Sequence, residues 1–166
     1  MKKLWVALSV IGLAVRLIAA WLPVPVLITR TMPDDAFIYF VIARNIGSGA
    51  GATFDGVMPT NGFHPLWALM MAPIFRVVST GDLPVHLALT LSAACDAAAG
   101  VLIAWVVWRL GGKGGQLSAP TIAMALYLFN PRAIQESVNG LETGSAMLAL
   151  AGCVAAWVWL AESPGS

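Results

Sequence analysis

The sequence predicts an all-α integral membrane helix bundle, with about four transmembrane helices and two interfacial, juxtamembrane helices in the first extracytoplasmic loop. Three observations carry this prediction. Of the 166 residues, 59% are hydrophobic and only 10% charged, against roughly 25% charged in soluble domains, so most of the chain needs an apolar solvent. The apolar residues fall in long runs punctuated by Gly, Pro and Asn, the pattern of spans joined by turns. The acids Asp34, Asp35, Glu136 and Glu142 lie between those runs rather than within them. A net charge of +1 without a basic cluster excludes nucleic acid as a partner. Cys95 and Cys153 stand alone in apolar runs, with no metal-ligand spacing, and read as small buried hydrophobes.

The first span covers residues 4–22, close to the roughly 20 residues that cross about 30 Å of hydrocarbon, and Pro23 with Pro25 ends it. Its apolar run exceeds the roughly 7–15 residues of a signal-peptide core and contains Arg16, so it is read as a retained span. Lys2 and Lys3 place the N-terminus in the cytoplasm, which puts the loop 29–83 outside.

In that loop a short helix runs from Asp34 to Ile46. Asp34 serves as N-cap after Pro33, Asp35 suits the positive end of the dipole, and Gly47, Gly49 and Gly51 terminate it. Phe37, Phe40, Val41 and Arg44 recur at helical spacing and give one apolar face ending in a cation. Residues 47–62 form a Gly-rich linker with an Asp55-Gly56 turn. The run from His64 to Val78 has two placements. As a span it would send Arg109 and Lys113 outside; as a second interfacial helix it leaves both in the cytoplasm, which suits the positive-inside bias and its short length. Spans at 84–108, 117–129 and 145–160 complete the single membrane domain, the third being short for a crossing. The tryptophans fall mostly near span ends, as an aromatic belt does.

This topology brings Asp34, Asp35, His64, Glu136 and Glu142 to one side. A carboxylate there can take a proton from an acceptor hydroxyl, so Asp34 and Asp35 read either as base and partner, with room for a divalent cation beside them, or as cap and dipole partner. His64 reads as an acceptor or phosphate ligand or as a backbone-bonded interfacial residue. Arg44 suits a lipid phosphate or anionic headgroups, and Glu142 suits a site or a helix dipole. Arg16 and Asp96 are intramembrane charges at similar depth and are expected to form a buried structural ion pair, damaged by Arg16→Leu and restored by a charge swap.

Taken in order, Asp34-Asp35-Ala-Phe-Ile-Tyr, Ile42-Ala43-Arg44-Asn45, Thr60-Asn61-Gly62-Phe63-His64-Pro65-Leu66-Trp67 and Asn139-Gly140-Leu141-Glu142-Thr143 resemble the N-terminal part of C-fold-class membrane glycosyltransferases. The similarity is to the polyprenyl-phosphate-sugar-dependent mannosyl- and arabinosyltransferase-like group. The resemblance implies inverting sugar transfer from a polyprenyl-phosphate donor on the extracytoplasmic face, in the service of the cell envelope. It makes Asp34 the base, Asp35 its partner, and Arg44, Asn61, His64 and Glu142 ligands of phosphate or acceptor. It also implies two juxtamembrane helices in the first loop. Family members have more spans than this chain, so the expectation is the N-terminal portion of a longer enzyme, or a short relative working with a second membrane subunit. The competing expectation is a non-catalytic membrane subunit that binds lipid-linked sugar or a partner bundle. Transport is disfavoured because only Arg16 and Asp96 lie at mid-depth.

Overall fold

The computed structural model describes residues 2–78, 80–111 and 118–162; Lys113 and Leu117, used above to orient and bound spans, lie outside the described residues. Among the described residues all regular elements are helices: α1 (Lys2–Ala20), α2 (Val24–Arg30), α3 (Asp34–Ser48), α4 (Pro65–Val77), α5 (Leu83–Leu110), α6 (Ser118–Leu128), α7 (Pro131–Glu136) and α8 (Thr143–Ala161). Three of them, α1, α5 and α8, are long and apolar enough to cross a membrane. The expected fourth span at 117–129 is instead the 11-residue α6, which at 1.5 Å per residue reaches only about 16 Å.

Proline does more than stop helices here. Pro23 and Pro25 end α1 but also open α2, because a fixed φ suits the first helical turn and the missing N–H is unpaired there anyway. Pro65 and Pro84 open α4 and α5 in the same way. α3 closes on Gly49, whose φ of +89° is the left-handed cap that directs its N–H back to Asn45 and Ile46.

Side-chain contacts give the directions of the helices. The Ala20 carbonyl lies 2.8 Å from His86 Nδ1, and Trp21 stacks on His86 and donates to Thr90 Oγ1, so the end of α1 meets the start of α5. Trp5 Nε1 donates to Thr121 Oγ1 and joins the starts of α1 and α6. Arg109 and Glu162 pair where α5 and α8 finish. One end of the bundle therefore holds α2, α3, α4 and α7 with the starts of α5 and α8, and the other holds Lys3, Arg109 and Glu162.

α5 is the central element, packed against α1, α6 and α8. Small residues let the helices approach, since apolar side chains gain little by leaving lipid for protein. A Cβ at Gly144 would lie 2.3 Å from the Ser92 carbonyl oxygen, and one at Gly100 would meet Leu128 at 2.7 Å. Exposed Val6, Val10, Ile18, Leu150, Val154 and Trp157 line the outer faces of α1 and α8 as a lipid-facing surface. Cys153 is on that surface, not buried as its apolar run suggests, because α8 packs on the bundle along one side only; Cys95 is buried.

Arg16 and Asp96 meet inside the bundle, 0% and 2% exposed. Arg16 Nε donates to Asp96 Oδ2 at 2.7 Å, and Nη2 lies 2.7 Å from the same oxygen. Sequence reasoning had no reason to include the other contacts. Arg16 Nη1 donates to the Leu128 carbonyl at 2.7 Å and to Gly12 O at 3.1 Å, while Tyr127 donates to Asp96 Oδ1 at 2.6 Å. The guanidinium thus satisfies a carbonyl at the C-terminus of α6, where orphan acceptors and the negative end of the dipole would otherwise face apolar surroundings. A helix can stop inside the bundle because a buried cation meets its end.

Candidate functional site

The site is built where α3, the start of α4 and the loop between α7 and α8 converge. On α3 the buried residues are Ala36, Tyr39, Phe40, Ile42, Ala43 and Gly47; the helix packs on α4, and Ala36 meets Gly140 of the loop after α7. Gly47 permits the contact, since a Cβ there would lie 2.6 Å from the Ala72 carbonyl oxygen. Phe40 stacks on Phe75 across the interface, so it belongs to the inward face. Phe37 and Arg44 are exposed, which divides the single apolar face expected from spacing into two.

The loop after α7 is fastened at three points. Asn139, 5% exposed, accepts from the Leu141 N–H at 2.9 Å and donates to Glu136 Oε2 at 2.7 Å and Thr143 Oγ1 at 3.1 Å. Gly140 takes φ of +81° and packs so tightly that a Cβ would sit 2.7 Å from Ala36 Cβ. Its carbonyl accepts from Trp67 Nε1 at 3.1 Å. Trp67 is fully buried, so it is a fastening rather than a member of an interfacial belt.

These fastenings deliver Glu142 to His64. Glu142 Oε1 lies 2.7 Å from His64 Nδ1, and the Tyr39 hydroxyl lies 3.1 Å from the same nitrogen while accepting from the His64 backbone N–H at 3.2 Å. A carboxylate only accepts, so the contact assigns the Nδ1 proton to His64 and leaves Nε2 as an acceptor in the neutral imidazole. The His64 side chain is 62% exposed, so this outer nitrogen is accessible to a ligand. Burial raises the Tyr39 pKa above its ordinary 10.0, against the opposing His64 backbone N–H, and the charges of Glu142 and Asp35 push it further up. The phenol therefore stays a donor across the physiological range.

Asp35 sits one turn before Tyr39 on the same side of α3 and contributes to the field at its hydroxyl. Asp34 is rotated away by about 100° and is exposed. It is not the N-cap: Pro33, extended at ψ of 166°, takes that position, and the Asp34 carboxylate accepts only the neighbouring Asp35 N–H at 3.1 Å. Because Pro33 takes the cap position, the helix starts one residue earlier than expected, at Asp34, and Asp34 is not committed to the N–H groups of the next turn, as a cap would be.

Arg44 and Asn61 are not drawn into the cluster by any bond. Arg44 is exposed ten residues after Asp34, about 15 Å along α3, with no ion pair among the described residues. Asn61 is exposed in the loop before His64 and makes no hydrogen bond among the described residues. Among the described residues no group of three or more His, Cys, Asp or Glu side chains is arranged to hold a metal. A cation beside Asp34 and Asp35 would draw its remaining ligands from water or substrate.

Sequence reasoning missed Tyr39, Trp67 and Asn139 as parts of the site. The four-residue step from Asp35 to Tyr39 was a readable signal, because it places both on one side of a helix. Nothing local marks Trp67 as the partner of a carbonyl 73 residues away. Comparison with family models, with curated proteins and with solved structures gives no match.

Proposed function

We propose that this chain takes part in inverting transfer of a sugar from a polyprenyl-phosphate donor to an acceptor hydroxyl at one membrane face. The observation that carries the reading is the exposed, uncommitted carboxylate of Asp34 at the same end of the bundle as the Tyr39, His64 and Glu142 cluster. In the transfer, the acceptor oxygen attacks the anomeric carbon, its proton passes to Asp34, and the bond from that carbon to the donor phosphate oxygen breaks with inversion. Asp35 stands beside the base, and its charge disfavours a second anion except where a cation or a donor group intervenes. His64 Nε2 accepts from a sugar or acceptor hydroxyl, with Glu142 holding the ring and its proton. Arg44 and Asn61 remain candidates for contacts at the rim, Arg44 toward lipid phosphate. The face concerned is extracytoplasmic if Lys2 and Lys3 hold the other end in the cytoplasm.

Membranes containing the chain are tested with a radiolabelled polyprenyl-phosphate sugar. Asp34→Asn is expected to reduce transfer by roughly 10²–10⁴-fold, the usual contribution of a general base, with insertion unchanged. Turnover retained by the correctly inserted variant overturns the assignment. A binding role without catalysis is favoured by one observation, that His64 Nδ1 and the Tyr39 hydroxyl are already partnered within the protein. Saturable donor binding without transfer by the wild-type chain, unchanged in Asp34→Asn, supports that second reading.

A further inference from the structure

A polar cleft of about 380 Å³ lies beside this site, between the end of α2, the turn into α3, and α7. It is near the lower end of the roughly 300–1,000 Å³ of small-molecule sites. Its walls include Arg30, Pro33, Arg132, Glu136, Asn139 and Leu141. Pro33 immediately precedes Asp34 and Leu141 immediately precedes Glu142, so the lining of the cleft adjoins these two of the site's carboxylates along the chain.

The cleft is held together by side-chain bonds between separate elements. Gln135 Nε2 donates to the Arg30 carbonyl at 3.0 Å and ties α7 to α2. Arg132 Nη2 lies 2.6 Å from Glu136 Oε1, and its Nη1 donates to Gln135 Oε1 at 3.2 Å. The other Glu136 oxygen accepts from Asn139 at 2.7 Å, which fixes the carboxylate that fixes the arginine. Arg30 is exposed and has no side-chain partner among the described residues. Two guanidinium groups against one carboxylate leave the cleft one positive charge in excess.

We propose that this cleft binds the phosphate of a membrane lipid, with Arg30 and Arg132 as its anion ligands and with Glu136 and Asn139 positioning Arg132. The excess charge matches a phosphate ester, and guanidinium forks suit its oxygens. A lipid is favoured over free phosphate because apolar Ile28 and Met32 also line the cleft, and exposed Val26 and Ile28 continue the apolar surface of α2 away from it. The site stands whether or not the chain transfers sugar; if it does, the cleft is placed to hold the donor phosphate beside Asp34.

The test is binding to the purified full chain in detergent, read by native mass spectrometry and by thermophoresis. The probes are a short-chain polyprenyl phosphate, dihexanoyl phosphatidylglycerol, dihexanoyl phosphatidylcholine and inorganic phosphate. Saturable binding of one or both anionic lipids, weakened roughly tenfold to a hundredfold by Arg30→Ala and by Arg132→Ala, supports the site. Polyprenyl phosphate bound more tightly than phosphatidylglycerol identifies the donor as the source; equal binding identifies bulk lipid. Glu136→Gln distinguishes ligation from scaffolding: it removes the charge opposing Arg132 and leaves one acceptor oxygen for it, while Asn139 loses its bond to the second oxygen, so affinity is expected to hold or rise. Circular dichroism checks that each variant is folded. Binding unaffected by either arginine, lost equally in Glu136→Gln, equally tight for phosphatidylcholine, or as tight for inorganic phosphate as for the lipids overturns the proposal. Binding is read without turnover, so failure of the transfer reaction leaves this result intact.

Discussion

Replacing Asp96 by alanine is expected to damage the protein more than replacing both members of its ion pair. The variant leaves Arg16 charged at 0% exposure, and stranding one member of a buried pair costs about 3–5 kcal/mol. It also strips Tyr127 of the acceptor it meets at 2.6 Å, a further cost of about 1–3 kcal/mol. The sum of about 4–8 kcal/mol approaches the whole stability of many domains, and its lower end applies here because helices in a micelle find other polar partners. Arg16→Met with Asp96→Leu removes the stranded charge but orphans Tyr127 and the Leu128 carbonyl, for about 2–6 kcal/mol. Adding Tyr127→Phe leaves the carbonyl alone, at about 1–3 kcal/mol. The charge swap Arg16→Asp with Asp96→Arg does not rescue, contrary to what the pair in isolation suggests. An aspartate at position 16 has no proton for Leu128, and an arginine at 96 cannot accept from Tyr127. SDS-induced unfolding in mixed micelles, followed by tryptophan fluorescence, gives the order: wild type, triple variant, double variant and swap together, single variant. A swap as stable as wild type would refute the helix-terminating role.

Two other outcomes test the site's construction. Gly140→Ala is expected to destabilise by at least about 1–2 kcal/mol, the cost of a Cβ in the left-handed region, with more from the 2.7 Å approach to Ala36; the same unfolding assay checks it, and a neutral result excludes the close contact with α3. In a Tyr127→Phe background, absorbance near 295 nm follows Tyr39, whose titration is expected above 10.0 and moves down in Glu142→Gln. Since the folded pKa is raised, the stability tied to the neutral phenol is complete below about pH 10 and is lost as pH rises through the higher folded value. A midpoint at or below 10.0 that ignores Glu142→Gln refutes the cluster.

The long helices α1, α5 and α8 were legible because length and hydropathy define a span almost without context. The bounds of α6 were legible too, since Asn130-Pro131 stops it locally, but the meeting of its last carbonyls with Arg16 was not, because that contact follows from tertiary packing. α2 was hidden by the habit of reading Pro23 and Pro25 only as breakers, although proline is at home in a first turn. At the site, Asp34, His64 and Glu142 were visible as costly residues between apolar runs. Their geometry was not: Asn139, Gly140 and Trp67 reach across the fold, and periodicity carries no information about such bonds.

The buried pair and the surface site belong to one construction. Had α6 continued as a full span, the chain would have emerged only after several more turns, and no short helix could lie against α2. Because Arg16 meets the Leu128 carbonyl within the bundle, the chain can turn at once, with Asn130 accepting from the Arg132 and Ala133 N–H groups to start α7. That turn lays Gln135 on the Arg30 carbonyl and sets Glu136 where Asn139 can bond it. Asn139 then shapes the turn through Gly140 that ends with Glu142 on His64. A charge pair that is a poor source of stability in itself thereby satisfies the end of a helix that Asn130-Pro131 stops within the bundle, and the stopping point determines which polar groups reach the end of the bundle where the acids lie.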